Sequence, residues 1–344
     1  MDELRRIQKV GYSTLTVSIP KSLARSLNLD AGDRVMFREE TDGTIRLIPA
    51  GASEAARKVN IRVDQVGSDE LLARLIVGSY ALGYDAIEVS SKGKLDRKMA
   101  DRAMETVRRL RGLEVVETQE DRILAQSFTD PTKFPVDSLI KRLQILVSKS
   151  LDNVIAAMEP RHTGNLNEVR RAQEEVDELY WLIVRQLLVA LNRRDLAGAI
   201  GIESPLHAAG DRVTAKTLDE IGSITLGIAE ELIRLRAEGI RLDPKVALDV
   251  RRLATFARTA FNTTVEGLLT PDIKLIEKSI SLVNETLEIE RSATRVVLSS
   301  EYAYARVLVS YFGQLARYCN IIIEIASHRL LRKSSRVATV EQLV

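Results

Sequence analysis

The chain has 344 residues and a mass of 38.3 kDa, which is more than one hydrophobic core usually serves, so we expect two or three domains. Hydrophobic residues at 45% and charged residues at 28% exclude a disordered or collagen-like chain, and a single cysteine excludes an internal disulfide or a multi-thiolate metal site. No segment approaches the roughly 18 apolar residues of a membrane span, and no apolar stretch follows the acidic start, so we expect a cytoplasmic protein without membrane insertion. The net charge of +2 makes no global case for a nucleic-acid partner.

The first fifty residues predict short strands around one small helix. Hydroxyl and apolar side chains alternate with the period of two that is typical of a half-buried strand. Pro20 suits the start of a helix because it lacks a backbone donor, and the Asp42-Gly43 pair favours a hairpin turn. The predicted elements are a strand over 14–19, a helix over 21–27 and strands over 34–40 and 44–48. So small a unit buries little surface, and we expect it to need a partner.

Residues 58–130 predict a small α/β domain, because stretches with a period of two alternate with stretches of helical period. Gly83 and Gly112 follow the two helical stretches, where glycine is common, and the second helix is rich in basic residues. The predicted elements are strands over 59–63 and 85–90, helices over 69–82 and 97–110, and strands over 113–117 and 122–127. No motif in this segment indicates its role.

From residue 136 to about residue 333 the apolar residues recur every three or four positions, as in amphipathic helices. The predicted helices span 136–158, 165–195, 211–238, 243–269, 272–298 and 301–331. Short connections make sequence neighbours antiparallel, and the two sets of three helices have similar lengths. The segment therefore predicts two tandem antiparallel three-helix bundles.

Three sequence stretches in the first of these bundles resemble the PhoU family of phosphate-signalling proteins. They read RAQEEVDELY over 171–180, AKTLDEIG over 215–222 and IAE over 228–230. The PhoU family is built as two three-helix bundles, and its members transmit phosphate status through contacts with a transporter ATPase or a sensor kinase. The resemblance therefore implies a sensing or docking role for residues 136–333.

The N-terminal segment, with IQKVG over 7–11, TVSIPK over 16–21 and LDAGD over 29–33, looks like an AbrB/SpoVT-type DNA-binding domain. In such domains two chains interleave their hairpins into one swapped β-barrel, so the resemblance implies a homodimer. Pairing this domain with PhoU-like bundles is similar to archaeal PhoU-like regulators. The fold expected is therefore multidomain and mainly α, with a small swapped-hairpin β-barrel at 1–50, an α/β domain at 58–130 and the duplicated bundles at 136–333.

The charge of the N-terminal segment is polarised, with a net of +3 over residues 1–25 and −2 over residues 26–50. The candidate DNA-contacting residues are Arg5, Arg6, Lys9, Lys21 and Arg25. Contacts of this kind with phosphates supply affinity but little choice of sequence. We expect a DNA-binding transcriptional regulator of phosphate uptake or of phosphate-responsive genes. The alternative is an adaptor that regulates a phosphate transporter or a sensor kinase by protein contact without binding DNA.

The PhoU resemblance also implies a metal cluster, because bacterial PhoU proteins carry acidic residues four apart on facing helices, where carboxylates can hold iron or zinc. The matching pairs here are Gln173 with Asp177, Asp219 with Ser223, Asn284 with Glu288 and Gly313 with Arg317. Each pair lacks at least one acid. In the fourth pair Arg317 puts a positive charge at the position where the family would bind a metal cation. We therefore expect no intrinsic multinuclear metal site and no other cofactor. Asp177, Asp219 and Glu288 are interpreted as remnants, with a solvated acidic face or a weak divalent or phosphate-linked site as the alternatives.

Nothing in the sequence indicates an enzyme, because it has no nucleophile elbow, P-loop or zinc-protease motif. The histidines are scattered, with His162 and His207 in predicted loops and His328 near the end of the last helix. Cys319 is interpreted as a buried small apolar residue.

The basic residues at the end of the chain could contact DNA or an anionic lipid surface, but a solvated extension is the commoner explanation for such charges, and we assign them neither partner. They are Arg329, Arg332, Lys333 and Arg336.

Overall fold

The structure is a computed structural model that describes residues 3–39, 43–49, 56–159, 165–298, 300–332 and 338–339. Its internal contacts divide the chain into two units, Met1–Ala56 and Arg57–Val344, and each unit is described by itself.

The first unit is a small β region with one short helix, as the sequence predicts. Its elements are β1 (Gln8–Val10), β2 (Thr14–Thr16), α1 (Lys21–Ser26), β3 (Val35–Glu39) and β4 (Ile45–Pro49). Strands β1 and β2 pair antiparallel, as do β3 and β4, so the single chain forms two separate two-stranded sheets. The ladder of β2 ends at Thr16, short of the predicted residue 19.

The first unit buries no described residue completely, and large apolar side chains on both of its hairpins face solvent. Leu15 is 66% exposed on the first hairpin, and Phe37 and Ile45 are 63% and 70% exposed on the second. Side chains of this size usually lie in a core. Alone, this unit therefore lacks the core that a stable domain needs.

The second unit begins with a two-layer α/β domain, whose predicted order of elements is confirmed. The elements are β5 (Lys58–Arg62), α2 (Asp69–Ala81), β6 (Ala86–Ser90), α3 (Arg97–Arg108), β7 (Leu113–Thr118) and β8 (Arg122–Ser127). The sheet order is β5-β6-β8-β7, with β5 and β6 parallel and the other neighbours antiparallel. Its core joins the buried side of the sheet to α2 and α3 through residues such as Ile87, Leu72 and Ala103.

Helices make up the rest of the second unit. They are α4 (Val136–Ala157), α5 (Leu166–Asn192), the short α6 (Arg194–Ala199), α7 (Pro205–Ala237), α8 (Pro244–Leu269), α9 (Ile273–Val297) and α10 (Arg306–Leu331). Helices α4, α5 and α7 pack together, as do α8, α9 and α10. Contacts of α4 with α8 and of α7 with α10 join the two sets around one continuous hydrophobic core. Within the described residues, none of these helices has the length and hydropathy needed to cross a bilayer.

Helix α7 begins at Pro205 and not at the predicted residue 211. Ser204 caps it by accepting a hydrogen bond from the backbone N–H of His207 at 3.2 Å, which satisfies a free donor of the first turn. His207 is therefore a buried helical residue, and its placement in a loop was wrong. Gly210 lies inside the helix, where a Cβ would stand 3.0 Å from Ile325 Cγ2, so its lack of a side chain allows α10 to approach closely.

The prediction for the basic end of the chain was wrong at Arg329, which lies within α10 and is 8% exposed. Its guanidinium donates to Asp211 Oδ1 at 2.5 Å and to Asp137 Oδ1 at 2.8 Å. A charge at this depth is stable only when it is paired, and these acids supply the partners. Arg332 lies 3.9 Å from a Glu203 carboxylate oxygen. Lys333 and Arg336, like His162, lie outside the described residues.

The α/β domain is attached to α5 by a buried arginine. Arg185 Nη1 donates to the carbonyl oxygens of Tyr80 at 2.6 Å and of Tyr84 at 3.0 Å, and its guanidinium stacks on the Tyr80 ring at 5.0 Å. Arg111, just after α3, bonds Glu178 of α5 at 3.1 Å. Trp181 of α5 packs against both hydrophobic cores, so this helix is shared by the two parts of the unit.

We predict that Arg185→Ala weakens the attachment of the α/β domain. The substitution leaves two carbonyl oxygens without their donor, which should lower the free energy of unfolding by about 2–4 kcal/mol. Trp181 is the single tryptophan of the chain, so urea unfolding followed by its fluorescence reports on this interface directly. The control is Arg74→Ala on α2, whose side chain is 75% exposed, and it should change the free energy by less than about 0.5 kcal/mol. Equal midpoints for the two variants would contradict the prediction.

Candidate functional site

The candidate DNA-contacting residues all lie on the surface of the first unit. Arg5, Arg6, Lys9, Lys21 and Arg25 are exposed. Lys21 and Arg25 stand four residues apart on α1 and therefore share a face of the helix. Lys9 lies opposite Leu15 in the β1–β2 ladder, and Arg5 is paired with Glu3.

In the first bundle the structure brings the predicted remnant pairs together between α5 and α7. Gln173 Nε2 donates to Asp177 Oδ1 at 2.7 Å along α5 and to Ser223 Oγ at 3.4 Å across to α7. Gly222 leaves the space that the Gln173 amide fills, because a Cβ at this position would collide with that amide. Partial burial raises the pKa of Asp177 to about 6, and the nearby charge of Asp219 contributes to the shift.

A lysine that the sequence reasoning missed completes this cluster. Lys216 Nζ lies 2.9 Å from Asp219 Oδ2 and 2.6 Å from Glu220 Oε1. Burial lowers the pKa of Lys216, but its hydrogen bonds to the two acids outweigh this effect and the pKa is raised. The ammonium also lies over the Tyr180 ring, 5.4 Å from its centroid, where a cation is attracted to the ring face. The sequence does contain a signal for this ion pairing: the two acids follow Lys216 by three and four residues on one helix, a spacing at which side chains are neighbours.

In the second bundle the acid that faces α10 is Glu290 and not Glu288. The Glu288 side chain is 69% exposed and pairs with Arg291 of its own helix at 2.6 Å. Glu290 is 12% exposed in its side chain and accepts two hydrogen bonds from Arg317, at 3.1 and 2.7 Å. The buried Thr286 marks the inner face of α9, and a helix returns to that face after four residues, at Glu290.

The close approach of α9 and α10 at this point depends on Gly313. A Cβ there would collide with the Glu290 carboxylate, so glycine makes the room for the ion pair with Arg317. Asn284, which the sequence comparison paired with Glu288, is also exposed. The pattern in this bundle is therefore Thr286 and Glu290 on α9, facing Gly313 and Arg317 on α10.

A third polar cluster joins α4, α7 and α10, where Asp137, His207 and Asp211 bring possible metal-ligand atoms within 4.8 Å of one another. The backbone N–H of Glu203 donates to His207 Nδ1 at 3.3 Å, so the neutral ring carries its proton on Nε2, which lies 3.3 Å from Asp211 Oδ2. Burial and the charge of Arg329 lower the pKa of His207 to about 4, which keeps the ring neutral. Asp137 and Asp211 both accept hydrogen bonds from Arg329, so the cation at this cluster is the arginine.

Two protein-family models match the chain. Residues 8–55 match the model described as antidote-toxin recognition MazE, bacterial antitoxin. Residues 140–232 match the PhoU domain, which covers most of α4, α5 and most of α7. The search of curated proteins found no match. The chain therefore carries a MazE/AbrB-type DNA-binding domain followed by a PhoU domain, both from regulatory, non-enzymatic families, and this combination fits a phosphate-related regulator.

The metal cluster that the PhoU resemblance implies does not fit the residues present. A bound iron or zinc ion needs several oxygen or nitrogen ligands directed at one point. In the first bundle the Gln173 amide and the Lys216 ammonium donate to the carboxylates that would supply these ligands. In the second bundle Arg317 takes both oxygens of Glu290.

The interpretation of Cys319 as a buried apolar residue agrees with its position inside α10, where it is completely buried. Burial raises the pKa of its thiol to about 12, so at pH 8 it carries almost no thiolate.

We predict that iodoacetamide does not modify Cys319 in the native protein at pH 8 over an hour, because the thiol is both neutral and inaccessible. In urea above the unfolding transition the same reagent should modify one thiol per chain at the rate of a free cysteine. Mass spectrometry of the quenched samples measures both rates. Rapid stoichiometric labelling of native protein would show that α10 does not bury this residue.

Proposed function

We propose that the chain is a homodimeric, DNA-binding transcriptional regulator of phosphate uptake or of phosphate-responsive genes. The observation that carries the proposal is the presence, in one chain, of a MazE/AbrB-type unit and a PhoU domain. In this scheme residues 1–50 dimerise and bind DNA, residues 136–333 sense or dock, and residues 58–130 are held to α5 beside the PhoU domain.

The dimer is supported by the burial pattern of the first unit. Its hairpins expose Leu15, Phe37 and Ile45, and it buries no described residue completely. Each Å² of apolar surface removed from water contributes about 25 cal/mol. A second copy that interleaves its hairpins with the first would cover these side chains and complete a small barrel.

DNA as the partner is supported by the exposed cations on that same unit. A dimer doubles them, which favours contacts with the phosphates of a duplex and makes the affinity depend on salt. The cytoplasm, where such a regulator meets its DNA, is the proposed location.

We predict that replacing Arg5, Arg6 and Lys9 together with Ala abolishes binding to DNA from the promoter of the protein's own gene. Fluorescence anisotropy at several salt concentrations measures the loss, and any residual binding should show a slope of log affinity against log salt that is smaller by about 0.9 for each phosphate contact removed. The control replaces three exposed lysines of the helical region, Lys245, Lys274 and Lys278, and should bind DNA nearly as the wild type does. Size-exclusion chromatography should show the same dimer for both variants. Undiminished binding by the first variant would refute the assignment.

The second candidate is an adaptor that acts on a phosphate transporter ATPase or a sensor kinase by contact alone, and the PhoU match favours it equally. The same triple variant separates the two functions in cells. A regulator without its DNA contacts should lose control of phosphate-responsive transcripts, as measured by RNA sequencing on phosphate depletion. An adaptor should keep its full effect in that variant and in a chain that starts near Ala52.

A further inference from the structure

Each bundle holds a basic side chain of the chain itself against carboxylates of its candidate site. In the first bundle this residue is Lys216, between Asp219 and Glu220. In the second it is Arg317, which binds both oxygens of Glu290 from the neighbouring helix. The two clusters differ in residue type and geometry, yet in each of them a carboxylate forms an ion pair with a cationic side chain of the same protein chain.

The space in each cluster is also filled by the chain's own atoms. Gly222 and Gly313 are the places where a helix could make room for a bound ion, because neither has a Cβ. The Gln173 amide fills the first space and the Glu290 carboxylate, with its arginine, fills the second. A divalent ion binding at either carboxylate would lie within a few ångströms of a fixed positive charge, and like charges at that distance repel strongly in a half-buried site.

We propose that Lys216 and Arg317 act as permanent built-in cations in the two positions where a PhoU-type protein would hold metal ions, so that the helical bundles are independent of divalent metal. The signal that this chain responds to is then not the occupancy of a metal cluster. The bundles can be independent of metal whether or not the first unit binds DNA.

The cation of the first cluster is half exposed, with 49% of the Lys216 side chain accessible, whereas Asp219 retains only 11%. Removing the ammonium would leave Asp219 and Glu220 without their shared donor, and Asp219 lies close to Asp177. With Lys216 neutralised, the carboxylates of Asp177 and Asp219, and of Glu220 beside Asp219, offer oxygen ligands of the kind that Mn²⁺ prefers. A neutral residue at position 216 should therefore create metal affinity that the wild type lacks.

The test measures metal content and thermal stability of the full-length protein. Wild-type protein purified without chelator should contain less than about 0.1 equivalent of iron, zinc or manganese, and neither EDTA nor 1 mM MnCl₂ should move its Tm by more than about 1 °C. Lys216→Gln should melt below the wild type in EDTA and should gain about 5 °C or more when Mn²⁺ is added in large excess over its Kd. Isothermal titration with MnCl₂ should give a measurable Kd for this variant only.

Two further variants separate charge from packing. Lys216→Arg keeps the cation and should behave as the wild type does in EDTA and with Mn²⁺. Lys278→Gln removes an exposed lysine from α9. Its Tm should neither fall in EDTA nor rise when Mn²⁺ is added. If Lys216→Gln proves too unstable to purify in EDTA, purification in 1 mM MnCl₂ should restore it.

Three results would overturn the proposal. The first is stoichiometric metal in the wild type that survives dialysis. The second is a Tm of the wild type that falls in EDTA. The third is a Lys216→Gln variant that gains no affinity for Mn²⁺ in either preparation.

Discussion

The small N-terminal unit leaves exposed the apolar side chains that would have to form its core. Ordering each residue costs roughly 1–2 kcal/mol of backbone entropy, and only burial of apolar surface offsets a cost of that size. Leu15, Phe37 and Ile45 offer such surface, but within one chain they face solvent. The candidate DNA-contacting cations lie on this same unit, so in our account DNA binding depends on the second copy that supplies the missing core.

Helix α5 links the two parts of the larger unit. Gln173 and Asp177 point from it towards α7, while Glu178 and Arg185 of the same helix bind the α/β domain. Helix α5 is therefore in direct contact with both α7 and the α/β domain. Because Trp181 packs against both cores, neither part can shift on α5 without repacking this side chain.

The sequence predicts the α/β domain and the helical bundles well, because glycine and proline punctuate them and the periodicity is strong. Prediction from the sequence fails where the same residue type suits two different structural roles. The predicted helix over 211–238 leaves Gly210 outside it, but in the structure Gly210 lies inside α7 and allows close contact with Ile325. Arg329 reads as a solvated end, but a buried ion pair with Asp211 holds it.

The candidate sites show the same contrast between local and long-range information. The grouping of Gln173 and Asp177 with Ser223 follows from helical spacing and the family pattern, so the sequence places it correctly. That Glu290 and not Glu288 faces α10 depends on the rotation of α9 about its axis, which only its packing against α10 determines.

Whether a second copy completes the core of the first unit is tested most directly by sedimentation equilibrium of the full-length protein. We expect a dimer of about twice the 38.3 kDa chain mass at the concentrations that bind DNA, whereas a monomer throughout that range would contradict a shared core.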